Sequence, residues 1–324
     1  MNGQNDFYLK RHRRAILVIL VLVVSFLSVA ACEFLLREFM GLGNPILYDS
    51  SPIYGYRPLP NREYKRFWGA NVKFNNIGLR TNRDWDEEKK DKILFLGDSV
   101  TYGGSYIDNK DLFSGLAVEL LNKDGQQKYT SGNAGVNAWG VENIYGLIME
   151  AHFLPAGIYV TTLPEDDFYR GITRIHGQPF FNNKPKLALQ ELWYFFCYRQ
   201  NNNRYKEWTT FANKQEQAYI IEKAVKKLKA MDSFLRENGC KHFVFITPSK
   251  SQVMEGAGKD MAVYNLLTQY ELAPHYIADE IAKCDLSDKD KEDLFHDGCH
   301  LKKKGHQLWA KIIAAELKKV DVPQ

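Results

Sequence analysis

The sequence predicts an α/β fold in which a parallel sheet is covered by helices on both faces. Short apolar runs at 93–96, 157–162 and 242–247 have the length of buried strands. Amphipathic stretches near 110–123, 216–238 and 302–319 alternate with them at helical spacing. No repeat or low-complexity tract interrupts the alternation, and strands separated by helices pair in parallel.

The chain starts with a segment of another kind. Ala15 to Cys32 is 18 residues without a charge, and Phe34, Leu35 and Leu36 extend it past Glu33. That length spans a bilayer as a helix. Lys10, Arg11, Arg13 and Arg14 precede it, and positive charge stays on the cytoplasmic side. The expected layout is therefore a cytoplasmic 1–14, a transmembrane signal anchor at 15–36, and a single-pass protein whose remainder is periplasmic or extracellular. A buried core helix is the competing reading, disfavoured by the length and the basic flank. Val29-Ala30-Ala31-Cys32 also resembles a lipoprotein cleavage box with a lipidated cysteine, but the long apolar run favours the uncleaved anchor.

Composition excludes other classes. With 45% hydrophobic and 25% charged residues the chain is ordinary globular material. Its net charge is +4, of which the first 14 residues carry +3, so the folded part has no basic excess for nucleic acid.

Residues 37–90 read as an extended approach segment. Pro45, Pro52, Pro58 and Pro60, interleaved with Tyr48, Tyr54 and Tyr56, exclude long helices. Val72 to Phe74 and Gly78 to Arg80, with the Asn-rich turn between them, suggest a small β element, and the charged run 84–91 reads as a solvated connection.

The α/β domain is expected over 91–320. After the first strand and the 110–123 helix come a weak strand at 128–134, a helix at 141–153 and the strand at 157–162. A long irregular insertion, 170–213, carries Trp193, Tyr194, Phe195, Phe196 and Tyr198. It reads equally as a lid or binding loop, whose rings could stack on sugars, and as a helix packed on the sheet edge. Glu216 to Asn238 is the strongest helix, stopped by Gly239, and His242 to Thr247 is a buried strand. Helical pieces at 261–283 lead to a closing helix, 302–319, with Leu308, Ile312, Ala315 and Leu317 turned inward. Cys32 aside, Cys197, Cys240, Cys284 and Cys299 allow two disulfides or none. Cys240 reads as a buried thiol, and Cys284 with Cys299 is the pair to test.

Two short stretches carry chemistry. Gly97-Asp98-Ser99 breaks the first strand and places a hydroxyl at its carboxyl end, where open α/β sheets carry their sites. The same tripeptide also serves as a plain turn. A nucleophile needs a base, and the base needs an orienter. Asp297 and His300 stand three residues apart on one loop before the last helix: His300 would take the Ser99 proton, and Asp297 would fix the tautomer. His296, Cys299, His300 and His306 are also metal-ligating types, but no second cysteine or carboxylate cluster at zinc spacing accompanies them. His12, His152, His176, His242 and His275 stand alone.

Gly97-Asp98-Ser99-Val100, Asn133-Ala134-Gly135 and Asp297-x-x-His300 together resemble blocks I, II and V of the SGNH/GDSL hydrolases, over about 91–320. The resemblance implies a flavodoxin-like three-layer α/β/α sandwich, a Ser99–His300–Asp297 triad, and ester hydrolysis or acyl transfer without cofactor or metal. It also implies that the N–H groups of Ser99 and Gly135 serve as oxyanion donors. The family's third block, Gly-x-Asn-Asp, is replaced here by Pro164-Glu165-Asp166-Asp167, with Asp166 in the asparagine's place. A carboxylate accepts hydrogen bonds, and losing one oxyanion donor costs about 100-fold to 1000-fold in rate. Three accounts follow: Asp166 is protonated and donates, the Asn137 amide substitutes, or the chain binds without turning over. The anchored layout is similar to envelope members that act on acylated polysaccharides. The expected partners are therefore an acylated glycan or other ester, lipid esters included, together with the membrane and an acyl-transfer partner within it.

Overall fold

The computed structural model describes residues 2–85, 92–122, 128–172, 180–205, 214–256 and 258–319. Most of the charged connection at 84–91, and His176, lie outside them. A single helix, α1 (Asn2–Met40), runs unbroken through Cys32. It is long and apolar enough to cross a membrane, with a mean hydropathy of 3.0 over its most apolar window and none of that window buried.

Two antiparallel hairpins follow. β1 (Tyr48–Ser51) pairs with β2 (Gly55–Pro58), and β3 (Arg62–Arg66) pairs with β4 (Ala70–Phe74). The 72–74 strand thus takes its ladder from 62–66; the expected partner, 78–80, contributes one bridge, Phe74 to Arg80. Asn75 explains the difference, because its carbonyl and side chain accept the N–H groups of Asn61, Ile77, Gly78 and Leu79 and close the chain into a turn.

The main sheet contains β5 (Lys92–Gly97), β6 (Thr130–Asn133), β7 (Ile158–Pro164), β8 (Lys241–Thr247) and β9 (His275–Tyr276), in the order β6-β5-β7-β8-β9 with every pairing parallel. This is the flavodoxin-like order, whose switch point lies between β5 and β7. Side chains alternate between two cores. Leu94, Leu96, Tyr159, Leu163, Val244 and Ile246 face one, and Ile93, Phe95, Ile158, Val160, Phe243 and Phe245 face the other.

Helices close both faces. α2 (Ser99–Tyr102), α3 (Phe113–Leu121) and α4 (Val141–Tyr145) precede α5 (Ala188–Tyr205) and α6 (Lys214–Glu237). α7 (Lys250–Glu255), α8 (Met261–Gln269), α9 (Ile277–Ala282), α10 (Asp288–Glu292) and α11 (Lys303–Lys319) complete the chain. The expected helix 141–153 changes pitch to a π turn at Gly146–Glu150. In α11 the buried stripe runs through His306, Trp309, Ile313 and Leu317, while Ala315 is exposed. A small residue carries little hydrophobic signal, so Ala315 was a poor marker of the inner face.

The 170–213 region is not one irregular insertion. Its aromatic run lies on α5, which packs on the end of α1 and not on the sheet edge. Leu36, Leu42 and Ala188 form a small core there, against which Phe67 and Phe195 pack. Beside it, buried Glu191 accepts from Arg66 Nη2 at 2.6 Å and from the Gly43 N–H at 2.6 Å. Removing one partner of such a pair strands the other charge. Glu191→Ala is expected to cost about 3–5 kcal/mol, measured by chemical denaturation of the detergent-solubilised full chain; a loss within experimental error would show that the pair adds nothing.

Candidate active site

Gly97 ends β5 where no side chain fits. A Cβ there would come 2.0 Å from Thr101 Oγ1 and 2.3 Å from the Thr162 carbonyl. The chain then turns at once into α2, capped by Asp98, whose Oδ1 accepts the Val100 N–H at 2.8 Å. Ser99 opens α2, half-buried, at the carboxyl end of β5. Thr101 bonds Thr162 through their hydroxyls, which fixes this turn to β7.

The base arrives from the far end of the chain. His300 Nε2 lies 2.8 Å from Ser99 Oγ, and His300 Nδ1 lies 2.7 Å from Asp297 Oδ2. Asp297 Oδ1 also accepts the N–H groups of Cys299 and His300, at 3.0 and 2.9 Å. These bonds outweigh burial and hold its carboxyl below the usual carboxylate range. The loop is pinned at its base by Phe295 pairing with Leu301, and at its tip by the Lys250 N–H donating to the Gly298 carbonyl. The three expected residues are thus brought into one hydrogen-bonded row.

Cys299 sits beside this row as a free thiol, its Sγ 3.7 Å from His300 Nδ1. Among the described residues no disulfide forms, so Cys284 and Cys299 are not bridged; Cys284 turns its sulfur to the Glu280 carbonyl instead. The imidazole of His300 is pushed up to about 9, first by the Cys299 sulfur, with burial opposing, and then by Asp297. A protonated His300 donates to Ser99, whose hydroxyl can then turn to Asp98 Oδ2 at 3.2 Å. The neutral ring accepts from Ser99 and can remove its proton.

The expected oxyanion donors are placed less simply. Gly135 is buried and its N–H donates to Asn133 Oδ1 at 2.8 Å, so the resting structure commits that donor within the chain. Gly135 instead makes room: a Cβ would lie 2.4 Å from the Tyr102 nitrogen. Ser99 retains its place at a helix start, where N–H groups have no intrahelical acceptor. Asn137 and Asp166 both line the cleft. Tyr56 Oη donates to the Asn137 carbonyl at 2.5 Å, and Ala138 beside it has a φ of 62°, a left-handed conformation of the kind stored at functional turns. Asp166 is exposed on the cleft wall, and its neighbour Asp167 is the fully buried one.

Other residues were not singled out from the sequence. Arg170 pairs with Asp167 at 2.6 Å and reaches Asp98 at 4.0 Å, so one guanidinium joins the serine turn to the loop after β7. Burial pushes the Asp167 carboxyl well up, and the nearby Asp98 adds to this. The Asp167-x-x-Arg170 spacing was a readable signal, because such pairs meet on one helical turn. Arg80, 2% exposed, donates to the carbonyls of Tyr102, Gly104 and Ile107 and to Asn109 Oδ1, and it lies 4.6 Å from the Tyr102 ring centroid. It shapes the glycine-rich loop that carries Tyr106 to the cleft. Nothing in its sequence neighbourhood distinguishes it from a surface arginine.

His306 does not join the site. It is buried, stacks on Phe113, and accepts the Phe113 N–H on Nδ1. His296 stacks on Tyr106 at 4.3 Å between ring centroids. Among the described residues, ligand atoms of Asp297, Cys299 and His300 lie within 4.8 Å of one another. A metal there would compete for the nitrogen that Asp297 holds.

The row opens on a cleft of about 760 Å³, most of whose described lining residues are polar, Ser249, Gln252, Asp260 and Glu165 among them. Among the described residues, none of the aromatic residues of α5 lines it, whereas Arg170, at the start of the same 170–213 stretch, does. No family model matches the sequence, and no curated protein matches it. Solved structures similar to this fold include an acetyl xylan esterase, 15% identical over 70% of this chain and 99% of that one, with a TM-score of 0.44. The lipase/acylhydrolase from Enterococcus faecalis is 12% identical over 70% and 95%, with a TM-score of 0.42. A catalytic mutant of an acetylxylan esterase from Geobacillus stearothermophilus is 12% identical over 71% and 94%, with a TM-score of 0.43.

The raised His300 sets a pH dependence. Only the neutral ring can accept a proton, so the competent fraction is small at neutral pH and grows as pH approaches about 9. Initial rates on 4-nitrophenyl acetate, corrected for spontaneous hydrolysis, are expected to climb through that range and then level. Cys299→Ala should move the midpoint down; an unshifted midpoint would free Cys299 of this role.

Proposed function

We propose that this chain is a membrane-tethered serine esterase or O-acyltransferase that acts outside the cytoplasm on short acyl esters, acetyl above all, of a cell-envelope glycan. The observation that carries the reading is the row Asp297–His300–Ser99, with separations of 2.7 and 2.8 Å, at the mouth of an open polar cleft. Ser99 Oγ attacks the acyl carbonyl while His300 Nε2 takes its proton. His300 then returns the proton to the departing alcohol, leaving the acyl group on Ser99. Water or a second hydroxyl, deprotonated by the same nitrogen, releases it. Asp297 orients the ring and stabilises its cation in both halves. The Ser99 N–H and the Asn137 amide are the proposed oxyanion donors.

The cleft supports the substrate class. Its volume suits a sugar-sized group. Its described lining residues are mostly polar, which favours a small acyl group on a polar carrier. Glu165, Asp166 and Asp260 face it, and Arg170 is the only arginine or lysine among the described lining residues, so a neutral carrier is favoured over a polyanion. The unbroken α1 with its basic flank supports an uncleaved anchor, N-terminus in the cytoplasm.

A second reading has its own support: Gly135 is committed to Asn133 and Asp166 stands on the cleft wall, which suits a glycan-binding member with little turnover. Covalent labelling separates the two. A fluorophosphonate probe is expected to modify Ser99 of the full chain, read by mass spectrometry, and Ser99→Ala should remove both the label and ester cleavage. A folded wild type that takes no label would favour the binding protein. Asp297→Asn leaves the serine in place but disfavours the working tautomer, so kcat is expected to fall about 10⁴-fold with the fold intact.

A further inference from the structure

α5 is apolar on two faces. Its inner face, Ala188 and Phe195, packs toward α1 and the hairpins, with the Glu191 pair between them. A helix on a water-exposed surface would be polar on the other side. Here that side presents Leu192, Trp193 and Phe196, and Trp193 and Phe196 are 61% and 51% exposed with their rings stacked at 5.7 Å. On the neighbouring turn, Trp68 is 76% exposed at a φ of 55°, beside Phe67, whose ring meets Phe195. Two exposed tryptophans on adjoining elements form a patch that no described residue of the domain covers.

The place of the patch along α1 identifies its occupant. At 1.5 Å per residue, Ala15 to Phe34 covers about 30 Å, the thickness of a bilayer's hydrocarbon layer. The first charged group after Arg14 is Glu33, and it is tied directly to α5: Oε1 accepts the Ala188 N–H at 2.8 Å and Oε2 the Leu189 N–H at 3.0 Å. Arg37 holds Glu33 at 2.7 Å and donates to the Lys186 carbonyl at 3.1 Å. The start of α5 is therefore fastened at the outer end of the 15–36 anchor, where the helix leaves the hydrocarbon. Exposed aromatic rings at that level match the tryptophan belts of membrane interfaces. We propose that the outer face of α5 and the Phe67–Gly69 turn form an interfacial platform. It lies in the headgroup layer of the bilayer that carries α1 and holds the domain at a fixed tilt. This rests on the anchor reading above and extends it from a tether to an oriented mount.

The test reconstitutes the full chain in phosphatidylcholine–phosphatidylglycerol vesicles carrying bromine on acyl carbons close to the headgroup, where it quenches tryptophan emission. Trp85, Trp139 and Trp309 are buried in the domain and Trp208 lies outside the described residues, so both proteins carry Trp208→Phe, and the signal is read against a further Trp68→Phe, Trp193→Phe double variant, which deletes the reporters but keeps aromatic rings. Quenching should fall by at least about half in the further variant, as expected of rings in an interfacial belt. Equal quenching in the two proteins, with the chain retained after an alkaline carbonate wash, overturns the platform and leaves the anchor standing. Loss of the chain on that wash overturns the anchor and this proposal with it. Emission that shifts to the blue with protein concentration but resists bromine would mean that a second copy covers the patch, and would also overturn it.

Discussion

The end of β5 admits no side chain, and the candidate site depends on that constraint. Gly97 brings the strand against Thr101 and the Thr162 carbonyl so closely that even a methyl group would collide. The reversal into α2 is consequently immediate, and Ser99 stands at the switch point of the sheet with a helix start behind it. A looser turn would carry the hydroxyl away from His300. Asn133 reinforces the geometry from β6: its amide donates to the Thr101 carbonyl and its oxygen takes the Gly135 N–H.

Around that turn, charge is arranged to hold loops together. Arg170 stands between two buried carboxylates, Asp98 and Asp167, and so links the serine turn to the segment after β7. Arg80 does comparable work on the glycine-rich loop with uncharged partners, spending its donors on carbonyls and an amide. Both are cases where a guanidinium suits the task, since its planar fork serves several acceptors at once. On the opposite wall, the loop of Asp297 and His300 is braced by backbone bonds, so the imidazole is held by its own turn of chain and by Ser99.

The hairpins and α5 form a third layer of organisation, outside the sheet. Their core is small, and polar pairs supply much of its definition: buried Glu191 with Arg66, and half-buried Glu33 with the first N–H groups of α5. Such contacts favour one arrangement over many, because each alternative would strand a charge. They tie the outer end of the apolar helix to α5 by direct hydrogen bonds.

Much of this was legible in the sequence. Apolar runs of strand length alternating with helical stripes determined the parallel sheet, since each pattern reports locally which faces meet the core. Gly97-Asp98-Ser99 and Asp297-x-x-His300 carried the candidate site because their internal spacings are short-range geometry. The apolar length of α1 and its basic flank were likewise local. Contacts between distant segments were not. Whether the Gly135 N–H was free, which carboxylate after β7 was buried, and where Arg80 pointed depended on groups brought together only by the closed fold. α5 was misjudged for the same reason: an aromatic run states that rings must be covered, but not by what. Tertiary structure decided that Phe195 packs at the end of α1 while Trp193, Tyr194 and Phe196 face outward, because packing partners are set by the path of the whole chain.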